Sequence, residues 1–134
     1  MKAFVSGQLA EKEQIRTIYS KLEDMGMEVT HDWTNTDTLE NYSKNSKEAG
    51  HRAKLDIDGV CHADMYILMT NNQLPGKGMY VELGAALALA QTTGSPEILI
   101  VGPKNHESIF YYHPLTKHFA DIDSCLRYVR EKYR

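Results

Sequence analysis

The chain has 134 residues, which is enough for one domain with a five-stranded sheet and its helices but leaves no room for a second domain. Hydrophobic residues at 42% and charged residues at 25% exclude the apolar-poor composition of disordered chains. Fifteen Lys and Arg against eighteen Asp and Glu give a net charge of −3, which disfavours duplex nucleic acid as a partner. We therefore expect residues 1–134 to form a single globular domain.

The chain shows no pattern that would direct it to a membrane or out of the cell. Residues 1–6 reach a polar residue too early for the apolar core of a signal peptide. The longest apolar stretch, residues 85–90, is far shorter than the roughly 20 residues that span a bilayer. Cys61 and Cys125 lie far apart and form no Cys-x-x-Cys pattern, which is compatible with reduced thiols. We expect a cytoplasmic protein with no membrane partner.

The first residues predict a β-α-β unit. Residues 2–6 are β-prone and end in a Ser-Gly pair, which predicts a strand. The apolar residues that follow have helical spacing: Ile15, Ile18, Tyr19, Leu22 and Met25. Gly26 stands where a helix C-terminal glycine would, and residues 27–31 predict a second strand. Because such crossovers are right-handed, we expect these two strands to be parallel neighbours.

The middle of the chain is divided between a polar segment and a buried strand. Residues 35–50 hold few apolar side chains, which predicts a solvated helix or a mobile flap. Residues 53–63 predict a helix. The almost continuous apolar run over residues 64–69 is typical of a central strand buried on both faces.

The last third repeats the alternation of helix and strand. Residues 71–78 predict a loop, residues 79–91 a helix with apolar faces on nearly every side, and residues 97–101 a fourth strand. Residues 104–118 are compatible with a strand, a helical turn or an apolar patch. Residues 119–122 predict a fifth strand, and Asp123 a cap for a final helix. The order of elements predicts a three-layer, Rossmann-like or flavodoxin-like α/β fold with a mainly parallel five-stranded sheet.

In an open parallel sheet, ligands bind outside the carboxyl ends of the strands, near the point where the connections reverse direction. This rule selects Ser6-Gly7-Gln8 after the first strand, His31-Asp32-Trp33 after the second, and residues 70–78 after the third. It also selects Glu82, which we expect in the first turn of the following helix. Backbone N–H groups and the helix dipole would hold a carboxylate there in its ionised form, ready to act as a nucleophile or base.

Three motifs resemble the nucleoside 2-deoxyribosyltransferase family and its relatives, the 2′-deoxynucleoside 5′-phosphate N-hydrolases. They are Phe4-Val5-Ser6-Gly7, Asp56-Ile57-Asp58-Gly59-Val60 followed by Ala63-Asp64, and residues 78–86 around Glu82. The resemblance covers roughly residues 2–102. It implies that Glu82 is the nucleophile that attacks C1′ of the sugar and that Asp56 lies on the base side and protonates or holds the leaving base. It also implies a homo-oligomer, a dimer or larger.

The implied activity is cleavage or transfer at the N-glycosidic bond of a nucleoside or its 5′-monophosphate. Departure of the base gives the sugar oxocarbenium character, which a carboxylate at C1′ stabilises and then traps, while a second carboxyl assists the base. No cofactor is implied, and the six histidines show no metal-ligand spacing. The candidate substrate-binding residues are Ser6, Gly7, Trp33, Asn71, Gly78 and Tyr80.

The chain departs from the family pattern at three positions. Tyr80 replaces a glycine, and we expect it to narrow the sugar pocket or to orient Glu82 through its hydroxyl. Ala3 replaces a tyrosine, and Gly76 an acidic residue of the loop. These departures keep open a second hypothesis, a non-catalytic nucleotide-binding sensor on the same scaffold, and a third, an NAD-cleaving or cyclic-nucleotide-related enzyme. The sequence does not distinguish hydrolase from transferase, and Trp33 fits a base-stacking or a core position equally well.

Overall fold

A computed structural model describes residues 1–70, 77–104 and 108–133. In these residues the strands are β1 (Lys2–Ser6), β2 (Glu28–Val29), β3 (Met65–Met69), β4 (Glu97–Val101) and β5 (Thr116–Phe119). The α-helices are α1 (Lys12–Asp24), α2 (Ser46–Cys61), α3 (Lys77–Thr93) and α4 (Ile122–Lys132). Short 3-10 turns cover Leu9–Glu11, Trp33–Asn35 and Ile109–Tyr112.

The strands form one sheet in the order β2-β1-β3-β4-β5, and every neighbouring pair is parallel. Ala3 of β1 pairs with Val29 on one side and with Met65 on the other. The chain therefore runs outward from β1 to β2 and then crosses back to β3, which places the switch of direction between β1 and β3. The predicted three-layer α/β fold is confirmed, and the sheet is wholly parallel.

Two apolar clusters, one on each face of the sheet, hold the layers together. All five residues of β3 are buried because helices cover both faces. One cluster joins α1 and α4 to the sheet through Ile15, Leu22, Leu126 and Val129. The other joins α2 and α3 to the opposite face through Val60, Met79, Leu83 and Leu87. The continuous apolar run of β3 therefore reflects its central place in the sheet.

Two predicted strands have different bounds in the structure. β2 covers only Glu28–Val29 rather than residues 27–31, because the chain turns at Asp32, whose side chain accepts a hydrogen bond from the Thr34 amide at 2.9 Å. The fifth strand is Thr116–Phe119 rather than residues 119–122. The prediction was wrong because Asp121, not Asp123, caps α4, accepting a hydrogen bond from the Ser124 amide at 2.8 Å.

The two ambiguous segments take separate forms. α2 begins at Ser46, so the end of the polar segment 35–50 is helical, whereas residues 36–45 are neither helix nor strand and are mostly exposed. In the second segment, Ile109–Tyr112 is a 3-10 turn that buries Tyr111. No helix within the described residues has the length and apolar character needed to cross a membrane.

Gly59 lets α2 pack closely against the sheet. A Cβ at this buried position would lie 2.9 Å from the Phe4 ring and 3.0 Å from Cβ of His31, whereas one at Gly50 of the same helix would meet nothing within 4 Å. We expect Gly59→Ala to lower the free energy of unfolding by about 1–3 kcal/mol through overpacking. Gly50→Ala should raise it by about 0.5–1 kcal/mol, the ordinary gain of alanine in a helix. Urea unfolding measures both, and equal stability of the two variants would contradict this close approach.

Candidate active site

Glu82 lies in the second turn of α3, which begins at Lys77. The expectation that it occupies the first helical turn was wrong, and the first turn of α3 as described contains no acidic residue. Its side chain is partly buried and points toward the carboxyl end of β1, where Oε1 accepts a hydrogen bond from Ser6 Oγ at 2.6 Å. A specific side-chain donor therefore takes the place of the helix amides that we expected to hold this carboxyl.

Ser6 reaches Glu82 because of the alternation of side chains along β1. Ser6 lies on the same face as Phe4, which belongs to the cluster beneath α2 and α3. The hydroxyl of Tyr66, a buried residue of β3, donates to Ser6 Oγ at 2.7 Å and also lies 3.2 Å from the Met79 carbonyl oxygen. Ser6 is completely buried, so it stands behind Glu82 rather than at an open surface.

Asp56 brings a second carboxyl group to Glu82. It projects from α2 into the same cleft as Glu82, close enough for the two carboxyl groups to shift each other's pKa, and its Oδ1 lies 3.5 Å from Nε2 of His31, which follows β2 closely. Burial raises the pKa of Asp56 above its ordinary value, while the neighbouring His31 and, more weakly, Arg52 oppose that rise. Residues far apart in the sequence, on two different helices, thus form one pair of carboxyl groups at the switch point of the sheet.

The pair holds a proton at neutral pH. Burial, helped by the nearby charge of Asp56, raises the pKa of Glu82 to about 8, although the Ser6 hydrogen bond opposes this rise. Two carboxyl groups in contact cannot both ionise without strong repulsion. The expectation of a permanently ionised Glu82 at neutral pH is therefore corrected, because burial and Asp56 outweigh the dipole of α3.

The pair borders a cleft with two adjoining lobes. The Glu82 lobe, of about 650 Å³, is lined by both carboxyl-bearing residues together with Gly7, Gln8, Leu9, Ala10, Trp33, Tyr42, Lys77, Gly78 and Met79. The α2 lobe, of about 560 Å³, lies beside the first turns of α2 and includes His31, Leu39, Arg52 and Leu55. Leu9, Trp33, Tyr42 and Asp56 line both lobes. Asp56 thus stands at the boundary between the two lobes.

Trp33 has a fixed place in this boundary. Its indole Nε1 donates a hydrogen bond to the Val5 carbonyl oxygen at 2.8 Å, which anchors the ring to the end of β1. The residue is partly buried and also packs against both apolar clusters. Trp33 therefore serves as a core residue and also lies where a base could stack, because one part of the ring packs inward and another part lines the cleft.

Arg52 fastens the chain over the α2 lobe. Its guanidinium donates to the Asp37 carbonyl oxygen at 2.6 Å and to the Glu48 carboxylate at 2.9 Å. The first bond holds the chain at Asp37 against α2, and the second, within α2, orients the guanidinium, although the segment around Asp37 has no regular secondary structure. The polar segment that looked unable to pack into a core thus forms one wall of the cleft.

The remaining predicted site residues differ in whether they line the cleft. Gly7 and Gly78 line the Glu82 lobe. The Tyr80 hydroxyl pairs with that of Tyr111 at 2.7 Å, and Tyr80 is not among the described residues that line the Glu82 lobe. Asn71 lies outside the described residues. Over residues 1–70, 77–104 and 108–133, no three His, Cys, Asp or Glu side chains gather in a way that could hold a metal ion.

Sequence reasoning missed Tyr66 and the pairing of His31 with Asp56. A tyrosine inside a fully apolar central strand is a usable signal, because a buried hydroxyl normally requires a hydrogen-bond partner. The hydrogen-bond partner of Tyr66 is Ser6, which the sequence indicates as a substrate-binding residue because of its place at the end of β1. The strand-end rule selected the position of His31, but its pairing with Asp56 depends on how α2 packs beside the end of β2, which the sequence does not express.

Comparison with known proteins places this geometry on a known fold. The sequence matches no protein-family model and no curated protein sequence. Its structure is similar to that of a CMP N-glycosidase, BcmB, from Clostridium botulinum, with a TM-score of 0.63 over 96% of this chain and 98% of that chain. The two sequences are 18% identical, so the similarity shows a shared fold over nearly the whole length of both proteins.

The raised pKa of Glu82 has a consequence for stability. The folded protein keeps this carboxyl protonated up to about pH 8, whereas the unfolded chain ionises it near the ordinary glutamate pKa of 4.5. Stability contributed by the proton is therefore lost as pH rises toward 8. The glutamine side chain does not titrate. We therefore expect the free energy of unfolding of Glu82→Gln to rise relative to that of the wild type between pH 5 and 8, and to exceed it by roughly 2–4 kcal/mol above pH 8.

Urea unfolding of both proteins at several pH values measures this difference. Glu23→Gln, which removes an exposed carboxyl from α1, is the control and should show no comparable growth of the difference with pH. A stability difference for Glu82→Gln that stays constant from pH 5 to 9 would contradict a raised pKa.

Proposed function

We propose that the protein cleaves the N-glycosidic bond of a nucleoside or its 5′-monophosphate, with Glu82 as nucleophile and Asp56 as general acid. The observation that carries the proposal is the contact between these two carboxyl groups in a cleft at the switch point of the sheet. The same fold in an enzyme described as a CMP N-glycosidase supports it. Three motifs that resemble the nucleoside 2-deoxyribosyltransferases, one of them around Glu82, agree with this assignment.

In the first step, Glu82 and Asp56 divide one proton and one negative charge between them. The Glu82 carboxylate attacks C1′ while the C1′–N bond breaks, and the bonding electrons leave with the base nitrogen. Asp56 donates the proton that the departing base requires. Because the charge of Glu82 is consumed in the glycosyl ester, Asp56 can ionise as it gives up its proton without facing a second carboxylate.

The second step restores both groups. Asp56, now ionised, takes a proton from an attacking water as the water oxygen bonds to C1′ and the ester bond to Glu82 breaks. A second nucleobase in place of water would complete a transfer instead of a hydrolysis. The Glu82 lobe, at about 650 Å³, is large enough to admit either acceptor beside the sugar.

The two lobes suggest how the substrate lies. The sugar occupies the Glu82 lobe, with Gly7 and Gly78 allowing its close approach to the backbone and Lys77 beside any 5′-phosphate. The base extends past Asp56 into the α2 lobe, against the anchored ring of Trp33. This orientation places the glycosidic bond between the two carboxyl groups, so the substrate must separate them when it binds.

Release of free base is the direct test. We incubate ribo- and deoxyribonucleosides and their 5′-monophosphates with the wild type, Glu82→Ala, and Asp56→Asn, and add a second base to half the samples. We expect Glu82→Ala to lower the release rate by at least roughly 10³-fold and Asp56→Asn by roughly 10²–10⁴-fold. Incorporation of the second base identifies a transferase, and its absence a hydrolase.

Asp58→Asn is the matched control. Asp58 lies on the same helix as Asp56, but its side chain is exposed and pairs with Lys54 at 2.6 Å. Its loss should leave base release unchanged. Full activity in the Glu82→Ala protein would overturn the assignment. Tight binding of a nucleotide with no release by folded wild-type protein would favour the sensor, and release of nicotinamide from NAD the third hypothesis.

The shared proton predicts a bell-shaped pH dependence of kcat/KM. Activity should fall at high pH as the pair loses its last proton, with an upper limb near the Glu82 pKa of about 8. It should fall at low pH as the second carboxyl is protonated, with a lower limb above the ordinary value for an aspartate, since burial raises the pKa of Asp56. A profile that stays flat between pH 5 and 9 would contradict a catalytic pair.

We further propose that the protein is a homo-oligomer. The 3-10 turn that follows β4 exposes Ile109 at 80%, Phe110 at 57% and Tyr112 at 68% of their surface, which is unusual for side chains of this size so close together. Light scattering should give a dimer or larger, and Phe110→Ser should shift it toward the monomer. A monomeric wild type would remove this proposal.

A further inference from the structure

A hydroxyl chain behind Glu82 has no part in the reaction as described. Tyr66 donates to Ser6 Oγ at 2.7 Å, and Ser6 donates to Glu82 Oε1 at 2.6 Å. Tyr66 and Ser6 are both completely buried in the sheet, so neither faces a ligand directly. Buried hydroxyl groups aligned on one oxygen of a carboxyl group call for a physical explanation beyond packing.

The direction of this chain follows from its two ends. An ionised carboxylate has no proton to donate, so Ser6 must give its only hydrogen to Glu82 whenever Glu82 is ready to attack. Ser6 Oγ can then only accept from Tyr66. The Met79 carbonyl oxygen is a second acceptor for the single Tyr66 hydrogen, but it lies 3.2 Å from the hydroxyl whereas Ser6 Oγ lies 2.7 Å away. The shorter contact therefore takes the hydrogen when Ser6 donates to Glu82. In the ionised state all hydrogens therefore point toward Glu82.

The chain is held in place by the sheet rather than by a loop. Ser6 and Tyr66 belong to β1 and β3, which pair directly over residues 3–6 and 65–68. The Tyr66 ring stacks on Phe4, with ring centres 6.3 Å apart and planes within 5° of parallel. The direction of the Ser6 hydroxyl is thus fixed by neighbouring strands, which makes it a pre-organised donor for negative charge.

We propose that Ser6 and Tyr66 are positioning residues that hold the Glu82 carboxylate in its attacking orientation and supply the hydrogen bond that compensates for its burial. The inference rests on the proposed function and deepens it, since it assigns the support of the nucleophile to two strands of the sheet. It also gives Ser6 a role beside Glu82 in place of the direct substrate contact that its position after β1 indicates.

The kinetic test compares Ser6→Ala and Tyr66→Phe with Tyr19→Phe. Tyr19 is an equally buried tyrosine, but its hydroxyl contacts the Val5 backbone at 3.2 Å. We expect Ser6→Ala to lower kcat roughly 10- to 100-fold and Tyr66→Phe roughly 3- to 10-fold, with KM changed less than about threefold. Tyr19→Phe should lower stability without this loss of kcat.

The second readout does not depend on activity. The Glu82 carboxyl carbon is followed by NMR in protein labelled at the glutamate side-chain carboxyl, and its signal is assigned by its absence from Glu82→Gln. Because the Ser6 hydrogen bond lowers the pKa of Glu82, we expect its midpoint to rise by roughly 1 pH unit in Ser6→Ala and by less in Tyr66→Phe. Tyr19→Phe should leave the midpoint in place.

These two readouts separate the inference from the function on which it rests. Shifted midpoints in a protein that releases no base would support the hydroxyl chain and overturn the proposed activity. Active wild-type protein with unshifted midpoints in both variants would overturn the chain and leave the activity standing. An equal loss of kcat in Ser6→Ala, Tyr66→Phe and Tyr19→Phe would show that these hydroxyl groups have only a structural role. That result would also overturn the inference.

Discussion

The interaction between the carboxyl groups of Glu82 and Asp56 is the constraint on which the arrangement of the cleft depends. It can exist at neutral pH only while one proton remains on the pair, because two ionised carboxyl groups in contact would repel each other in a partly buried place. Each group therefore sets the protonation of the other. In the proposed mechanism the nucleophile and the acid are therefore one unit, which shares a single negative charge until a substrate enters between the two groups.

Folding brings the two groups together at the expense of stability. α2 and α3 lie on the same face of the sheet, and Gly59 allows α2 to approach β1 closely enough for Asp56 to meet Glu82. Burial of a carboxyl whose pKa rises to about 8 weakens the fold as pH approaches that value. The cores on both faces of the sheet must outweigh this loss, as is usual where a site requires a desolvated charge.

The general course of the fold could be predicted from the sequence because it depends on periodic patterns. The apolar run of β3, the helical spacing before Gly26 and the alternation of elements all survive in the structure. Boundaries set by single hydrogen bonds could not be predicted: Asp121 rather than Asp123 caps α4, and β2 ends early where Asp32 turns the chain. Such choices depend on local geometry that composition and spacing do not express.

For the candidate site, the family resemblance brought Asp56 to the same substrate as Glu82, but the position of Glu82 along the chain predicted the wrong protonation state for it. Position in a helix predicted an ionised group, whereas its protonation follows from burial and from the neighbour on α2, both of which are tertiary properties. Tyr80 shows the same limit, since its hydroxyl turns to Tyr111 on a different element. The side chains of this site come from several strands and helices, so their protonation depends on how those elements pack. Residue types in the sequence can indicate the candidate residues, but the charge on each one is set by the fold.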